Sequence, residues 1–225
     1  MKLSNETLNA LMNVSDVNNE IKISSGNVIQ NARQDGTVFI RTVISEDFED
    51  CVIGDLKQFC KIFKLKGMSA ADLEFDSQGR YATIKGDDIV FNYKFTEQIF
   101  WRDTIEGFYE ATKDEDYIAK LRIEPEELSE FLNASSAMQC KRMVFKIEDH
   151  KVYLVGRGVN VDSNTHTRYM CDTPAEDGEY VLNIDNIRFL PLTYDVYVKQ
   201  KMICFESVDD EYEMYYVIAN CFDEE

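Results

Sequence analysis

The sequence predicts an α+β protein built from two similar domains. Two observations carry this prediction: a helical pattern that occurs twice, and alternating strand-like segments that follow it each time. At 225 residues the chain is long enough for two domains of ordinary size. Its 44% hydrophobic and 12% aromatic residues can fill two cores, which argues against intrinsic disorder.

The repeat is clearest in the first helix of each half. Residues 8–15, LNALMNVS, recur as residues 128–135, LSEFLNAS, at an offset of 120 (128 less 8). Both segments place apolar side chains at i, i+3 and i+4, which is one face of a helix. Ser4 is the expected N-cap of the first helix, and Pro125 in an acidic first turn marks the start of the second.

Strands with alternating polarity follow each first helix. We expect a second helix in each half, at Leu56–Lys66 and, cut short by Pro191, at Asn186–Leu190. Residues 148–150 are expected to form a hairpin turn. The predicted strands are Glu20–Ile23, Thr37–Ile44, Leu73–Phe75, Tyr81–Ile84 and Ile89–Tyr93 in the first half, and Met143–Ile147, Val152–Val155, Val196–Val198, Met202–Phe205 and Glu213–Ile218 in the second.

An acidic, aromatic-bearing stretch without a clear period joins the two halves. We therefore predict a first domain over residues 1–105, a connector over residues 106–118 and a second domain over residues 119–225. The N-terminus lacks the apolar run of a secretory signal, and no segment has the length and apolarity of a membrane span. The chain is therefore expected to be cytoplasmic, with no membrane partner.

The predicted helix at Leu56–Lys66 carries a concentrated positive face. Asp55 and Gln58 have the spacing of a capping box, and the helix buries one apolar side while its lysines gather on the other. Lysines on the outer face of an amphipathic helix are often ordinary solvated residues, but the net charge of −18 makes this cluster unusual. Phosphate binding is built from clustered Lys and Arg, so a DNA partner of this acidic chain would need such a local cluster. The candidate DNA-facing residues are Lys57, Lys61, Lys64 and Lys66, with Lys141, Arg142 and Arg188 in the second half.

Catalysis is not indicated by the sequence. The acidic clusters Asp87–Asp88 and Asp114–Asp116 are typical of solvated loops, and His150 and His166 have no ligand at metal-binding spacing. No phosphate-binding loop or nucleophile motif occurs, so no catalytic residue, cofactor or metal is expected. The acidity leaves one alternative open, an adaptor or DNA-mimic protein that occupies a DNA-binding partner.

Short motifs in collinear order connect the chain to a known family. They are Met1–Ser4, Ser25–Gly26, Gly36–Thr37, Ile44–Ser45, Asp55–Leu56 with Phe59, Ile99–Trp101, Glu127–Leu128, Thr167–Tyr169 and Asn183–Pro191. On these residues the chain resembles the sliding clamps of T-even-type tailed bacteriophages over essentially its full length. The resemblance implies the DNA-clamp fold, with two similar domains per chain, antiparallel sheets outside and helices lining a central hole.

The same resemblance implies a homotrimeric ring that encircles duplex DNA without reading sequence and makes a replicative DNA polymerase processive. A clamp loader ATPase would open the ring, the host cytoplasm would be its location, and a role in viral transcription is left open. Chains are expected to join at the edge strands Ile89–Tyr93 and Thr167–Cys171. The polymerase-docking pocket is assigned to Ile105, Phe108, Tyr109 and Phe222.

One departure from the family concerns the inner rim. Sliding clamps of this kind also carry cations on the first helix of each domain, whereas Asn5, Met12, Asn133 and Ser136 occupy those positions here. Lys57, Lys61 and Lys64 are therefore expected to carry the charge instead.

Overall fold

The computed structural model describes residues 1–97, 105, 107–158, 164–209 and 212–221. The chain forms two compact units. Unit 1 comprises Met1–Asp35, Phe39–Gly107 and Asp210–Met214, and unit 2 comprises Gly36–Val38, Phe108–Asp209 and Tyr215–Glu225. In the described part of the chain, no helix is long and apolar enough to cross a membrane.

Unit 1 begins with helix α1, whose start was predicted correctly. The Ser4 hydroxyl accepts a hydrogen bond from the Thr7 amide at 3.1 Å and so satisfies one of the free amides of the first turn. Antiparallel pairs form between β1 and β4 and between β2 and β3, while β5, β6 and β7 form a three-stranded sheet. The elements are α1 (Asn5–Val17), β1 (Ile21–Ile23), β2 (Gly26–Ala32), β3 (Val38–Phe48), β4 (Cys51–Ile53), α2 (Leu56–Phe63), β5 (Asp72–Phe75), β6 (Tyr81–Lys85) and β7 (Val90–Lys94).

Unit 2 contains two antiparallel sheets, ordered β11-β10-β9-β12 and β15-β14-β13-β8. The predicted hairpin between β9 and β10 is confirmed: Asp149 and His150 both have positive φ, at 51° and 60°, as a tight two-residue hairpin turn requires. The elements are α3 (Phe108–Lys113), β8 (Ala119–Ile123), α4 (Pro125–Ala137), β9 (Arg142–Glu148), β10 (Lys151–Arg157), β11 (Thr165–Asp172), β12 (Gly178–Asn183), β13 (Tyr194–Val198), β14 (Met202–Ser207) and β15 (Glu213–Ala219).

The helices of unit 2 differ from the prediction in two places. Asn186–Leu190 is not a helix; a single 3-10 turn lies two residues earlier, at Ile184–Asn186, and ends where Ile187 becomes extended. The Asn183 side chain accepts from the Asp185 amide and therefore starts the turn earlier than predicted. The predicted connector contains a helix, α3, which its irregular pattern did not indicate.

The cores confirm the repeated helical pattern. Leu8 and Leu11 of α1 are buried, as are Leu128 and Phe131 of α4. Each helix also buries a serine hydroxyl, at Ser15 and at Ser135. The sequence repeat is therefore a repeat of buried faces, which is why it survives although few residues are identical.

Candidate nucleic-acid interface

Helix α2 is fixed at its N-terminus by polar contacts and along its length by burial. Asp55 Oδ1 accepts from the Gln58 amide at 2.8 Å and from Asn19 Nδ2 at 3.0 Å. These two hydrogen bonds, the first above all, hold the pKa of the Asp55 carboxyl below its usual value. The four apolar residues of the opposite face are buried: Leu56, Phe59, Cys60 and Phe63.

The lysines in and just after α2 differ in whether they form a salt bridge. Lys57 forms a salt bridge with Asp16, with 2.7 Å between Nζ and Oδ1. Lys61, Lys64 and Lys66 are exposed and form no salt bridge with any residue that the structure describes. We call these three residues the basic stripe. Their position at the C-terminal end of α2 is favourable, because the helix dipole stabilises cations there.

The helix itself is shorter than predicted. It ends at Phe63, Lys64 is its C-cap, and Lys66 lies in the turn that leads to Gly67. Gly67 has φ of 79°, a left-handed conformation that allows the chain to leave the helix sharply. The basic stripe therefore runs from the last turn of α2 into the loop beyond it.

The candidate cations of unit 2 lie at strand ends and in a loop. Lys141 precedes β9 and is exposed, with its Nζ 3.8 Å from a carboxylate oxygen of Asp185. Arg142 is the first residue of β9, and Arg188 is exposed in the loop after the 3-10 turn. The Ile184 amide donates to the Lys141 carbonyl at 2.9 Å, which brings this turn beside Lys141. Placing Arg188 on a helix that matches α2 was wrong.

The two helices that carry the repeated pattern, α1 and α4, contain no Lys or Arg. Helix α1 (NETLNALMNVSDV) and helix α4 (PEELSEFLNASSA) contain only acidic charges. Of the four positions at which the family resemblance led us to expect cations, Asn5, Asn133 and Ser136 are exposed. The candidate cations that the structure describes therefore lie on α2 and the loop after it in unit 1, and in the Lys141 region and the loop of Arg188 in unit 2.

The residues assigned to a partner pocket are only partly accessible. Ile105 is 4% exposed, and Phe108 and Tyr109 are half-buried in α3. Tyr109 packs edge-on against Tyr215, with ring centroids 4.9 Å apart. Phe222 lies outside the described residues, as does the Ile99–Trp101 motif.

Beside Tyr109 lies a cavity of about 140 Å³ that the sequence did not reveal. Lys199 is almost fully buried at its base and donates to the carbonyl oxygens of Thr112 and Glu115, which fixes the end of α3. The alternation of buried and partly exposed residues along β13 could have indicated that Tyr197 faces outward. The sequence around Lys199 gives no sign that this lysine is buried. The lining residues, all in unit 2, are Lys113, Tyr117, Tyr197, Lys199, Glu206 and Tyr215.

Solved structures with the same architecture are DNA clamps. The PCNA of A. fulgidus, determined with the C-terminal region of FEN-1 bound, aligns with a TM-score of 0.68 at 11% identity, covering 100% of this chain and 98% of that one. The beta sliding clamp of C. crescentus aligns with a TM-score of 0.67 at 10% identity, covering 96% of this chain and 64% of that one. The protein therefore has the DNA-clamp fold.

Two curated relatives are sliding clamps of phages. The sliding clamp of Escherichia phage RB69 is 25% identical over 206 residues, covering 87% of this chain and 86% of the relative. The sliding clamp of Enterobacteria phage T4 is 27% identical over 205 residues, covering 86% and 85%. No family model matches the chain. The resemblance to sliding clamps of T-even-type phages, expected from the sequence, is confirmed by these relatives.

Proposed function

We propose that the protein is a DNA sliding clamp: three identical chains form a ring that encircles duplex DNA and tethers the replicative polymerase to it. The observation that carries the proposal is a pair of open sheet edges, one in each unit, in a chain with the DNA-clamp fold. The ring acts through topology, so the role requires no catalytic residue, metal or cofactor of its own.

In unit 1, one edge of the β5-β6-β7 sheet is covered and the other is open. The N-terminus covers β5, since the Met1 amine donates to the Leu73 carbonyl at 2.8 Å and the Leu73 amide donates back to Met1 at 2.7 Å. Strand β7 has no hydrogen-bonded neighbour on its outer side within the described chain. Val90, at 60% exposure, belongs to this open edge.

Unit 2 repeats the arrangement in the sheet β11-β10-β9-β12. Residues near the C-terminus cover β12, where Val181 donates to the Asn220 side chain and accepts from the Cys221 amide, both at 2.7 Å. Strand β11 lacks an outer neighbour among the residues described. Its outward side chains Thr165, Thr167 and Tyr169 are exposed and uncharged, so they do not protect the edge against pairing.

Strands β7 and β11 are therefore two different open edges in the described chain, and pairing β7 of one copy with β11 of the next is a head-to-tail contact. Contacts of this kind produce a ring when the rotation closes and a filament when it does not. Closure after three copies is the assembly that the resemblance to phage sliding clamps implies, and every junction in that ring would be the same pairing of β7 with β11. Opening one junction is the step that a clamp loader ATPase would perform.

DNA contact is proposed to come from the basic stripe with Lys57, supplemented by Lys141, Arg142 and Arg188. Three copies would carry a net charge of about −54, which repels DNA from the remaining surface. Contacts made by lysines to phosphate oxygens do not read base sequence, which suits a protein that slides.

The cavity beside Tyr109 is the proposed docking site for a polymerase segment. Its walls combine three tyrosine rings with the cation of Lys113, so they can receive an apolar or aromatic anchor. Tyr109 supports one wall through Tyr215, and Phe108 adjoins it in α3. Ile105 is too buried to be contacted without movement of the chain.

Light scattering across a concentration series tests the assembly. A single chain has a mass of 26.1 kDa, so the proposed ring corresponds to about 78 kDa. We expect the mass to rise towards this value with concentration and to stop there. A mass of 26.1 kDa at every concentration would contradict the ring and favour the acidic adaptor, whose binding to a partner requires no assembly.

A further inference from the structure

Both open edges are held from behind by a helix of their own unit. In a strand, side chains point above and below the sheet while the backbone amides and carbonyls point sideways. A side chain that is anchored below the sheet therefore fixes the direction of the strand's backbone amides and carbonyls. These groups remain available for hydrogen bonds to another strand. Strands β7 and β11 each have such anchors.

In unit 2, the anchor is an arginine that bridges two glutamates. Arg168 of β11 donates from Nη1 to Glu130 at 2.8 Å and from Nη2 to Glu127 at 2.9 Å. The two glutamates are three residues apart, on one face of α4. A guanidinium presents donors on separate nitrogens in a rigid fork, so this one residue ties the strand to two points of the helix.

A second contact holds the beginning of the same strand. His166 Nε2 and Ser135 Oγ are 2.8 Å apart, and the His166 ring packs on Phe131 with centroids 4.7 Å apart. The imidazole lies over Gly156 of β10, where a Cβ atom would be only 2.1 Å from Nε2. Glycine at position 156 therefore makes room for this contact.

In unit 1, the anchor is a tyrosine on β7. Its hydroxyl, on Tyr93, donates to the Asp55 carbonyl at 3.0 Å. Its ring meets Phe59 of α2 edge-on, with centroids 5.2 Å apart. Asp55 is the N-cap of α2, so the open edge is tied to the start of the helix that carries the basic stripe.

We propose that Arg168 and Tyr93 are positioning residues for self-association, because each holds an open edge strand in the orientation that a second copy of this chain must meet. The inference rests on the proposed function and adds the residues that prepare its junctions. An edge strand that is ordered before the chains meet loses less conformational freedom on pairing, which strengthens association without adding a contact.

Light scattering and sedimentation across a concentration series test the proposal, with thermal unfolding of each variant measured alongside. Arg168→Gln is expected to raise the concentration of half-assembly by about 10-fold or more, and Tyr93→Phe by several-fold. Arg168→Lys, which keeps the charge but not the fork, should recover part of the loss.

Matched controls separate positioning from general stability. Arg157→Gln breaks another forked bridge, from β10 to Glu179 with both bonds at 2.9 Å, and removes neither of the bonds that join Arg168 to α4. Tyr194→Phe removes another tyrosine hydroxyl that donates to a backbone carbonyl, that of Leu190 at 2.9 Å. Both controls should assemble like the wild type, whatever their unfolding temperatures.

Each result decides a separate point. Equal half-assembly concentrations for Arg168→Gln and Arg157→Gln, in a wild type that does assemble, would overturn the positioning role while leaving the ring intact. If Arg168→Gln does not fold, Glu130→Gln, at a side chain that is 71% exposed, replaces it, and wild-type assembly of that variant would overturn the role. A wild type that stays monomeric would overturn both proposals.

Discussion

After α3 and β8, unit 2 repeats the order of elements in unit 1, but the two units distribute positive charge differently. In unit 1, the basic stripe runs from the last turn of α2 into the loop beyond it, and the N-cap Asp55 and a buried apolar face hold this helix in place. In unit 2, the corresponding segment is a 3-10 turn, and its cations lie at the start of β9 and in a loop. The two units therefore share the pattern of buried residues, which the fold requires. They do not share the pattern of positive charge, which only a ligand would require.

The largest expected effect is the loss of DNA binding when the basic stripe is reversed. Changing Lys61, Lys64 and Lys66 to Glu should weaken binding to a short duplex by at least about 100-fold at low salt and reduce the salt slope by roughly 3, because about three phosphate contacts are lost. Fluorescence anisotropy over a salt series measures both. Reversal of Lys22, Lys151 and Lys201, which changes net charge equally, should have a much smaller effect.

If the control triple variant loses as much affinity as the stripe variant, net charge rather than the stripe governs binding. The comparison between units would then carry no functional meaning. Reversal of Lys141 and Arg188 alone should give an intermediate loss, since these two cations belong to the less concentrated region of unit 2.

A smaller effect is expected from the cap of α2. Asp55→Ala should lower the free energy of unfolding by about 1 kcal/mol, because the Gln58 amide loses its acceptor. Asp55→Asn retains an acceptor oxygen and should cost a few tenths of that amount. Urea denaturation compares the two variants, and an equal cost for both would indicate that the carboxylate charge, not the cap, stabilises the helix.

Breaking the ion pair between Lys57 and Asp16 is expected to strengthen DNA binding, whereas reversal of the basic stripe weakens it. Asp16→Asn should strengthen DNA binding several-fold, since it releases Lys57 for phosphate contact. In a Lys57→Gln background the same change should have little effect. Equal strengthening in both backgrounds would mean that Asp16 acts through general repulsion rather than through Lys57.

The smallest expected effect is on the pH dependence of stability, through His166 of unit 2. Burial lowers the pKa of His166 below its usual value of 6.5, so the unfolded chain binds the proton more tightly than the folded one. The stability from this site is therefore present above pH 6.5 and is lost as the pH falls below it. Denaturation at pH 7.5 and 5.5, about one unit on either side, measures how the free energy of unfolding changes with pH, and His166→Gln should show a smaller change than the wild type. An equal change in both proteins would exclude His166 as the source of the pH dependence.

Local rules recovered much of the fold from the sequence. Ser4, Asp55 and the Asp149–His150 turn each act through neighbours a few residues away, so their roles were readable. The basic stripe was found for the same reason, because amphipathic spacing needs only one helix. The predicted strands Ile89–Tyr93 and Thr167–Cys171 are both edge strands in the described chain.

Features set by distant contacts were not readable. Lys199 bonds a carbonyl 87 residues earlier in the chain, and nothing near it in sequence indicates burial. The helix predicted at Asn186–Leu190 failed because a competing side-chain contact from Asn183 starts a tighter turn. Arg168 likewise acquires its role only when α4 and β11 are packed together.

Retention on circular DNA tests the central claim most directly. The protein would be assembled on nicked circular duplex with a clamp loader ATPase, washed at high salt, and measured before and after the circle is cut. An encircling ring should stay on the circle through the wash and leave once the DNA is linear, because salt weakens phosphate contacts and does not open a closed ring. Equal loss from circular and linear DNA during the wash would contradict encirclement.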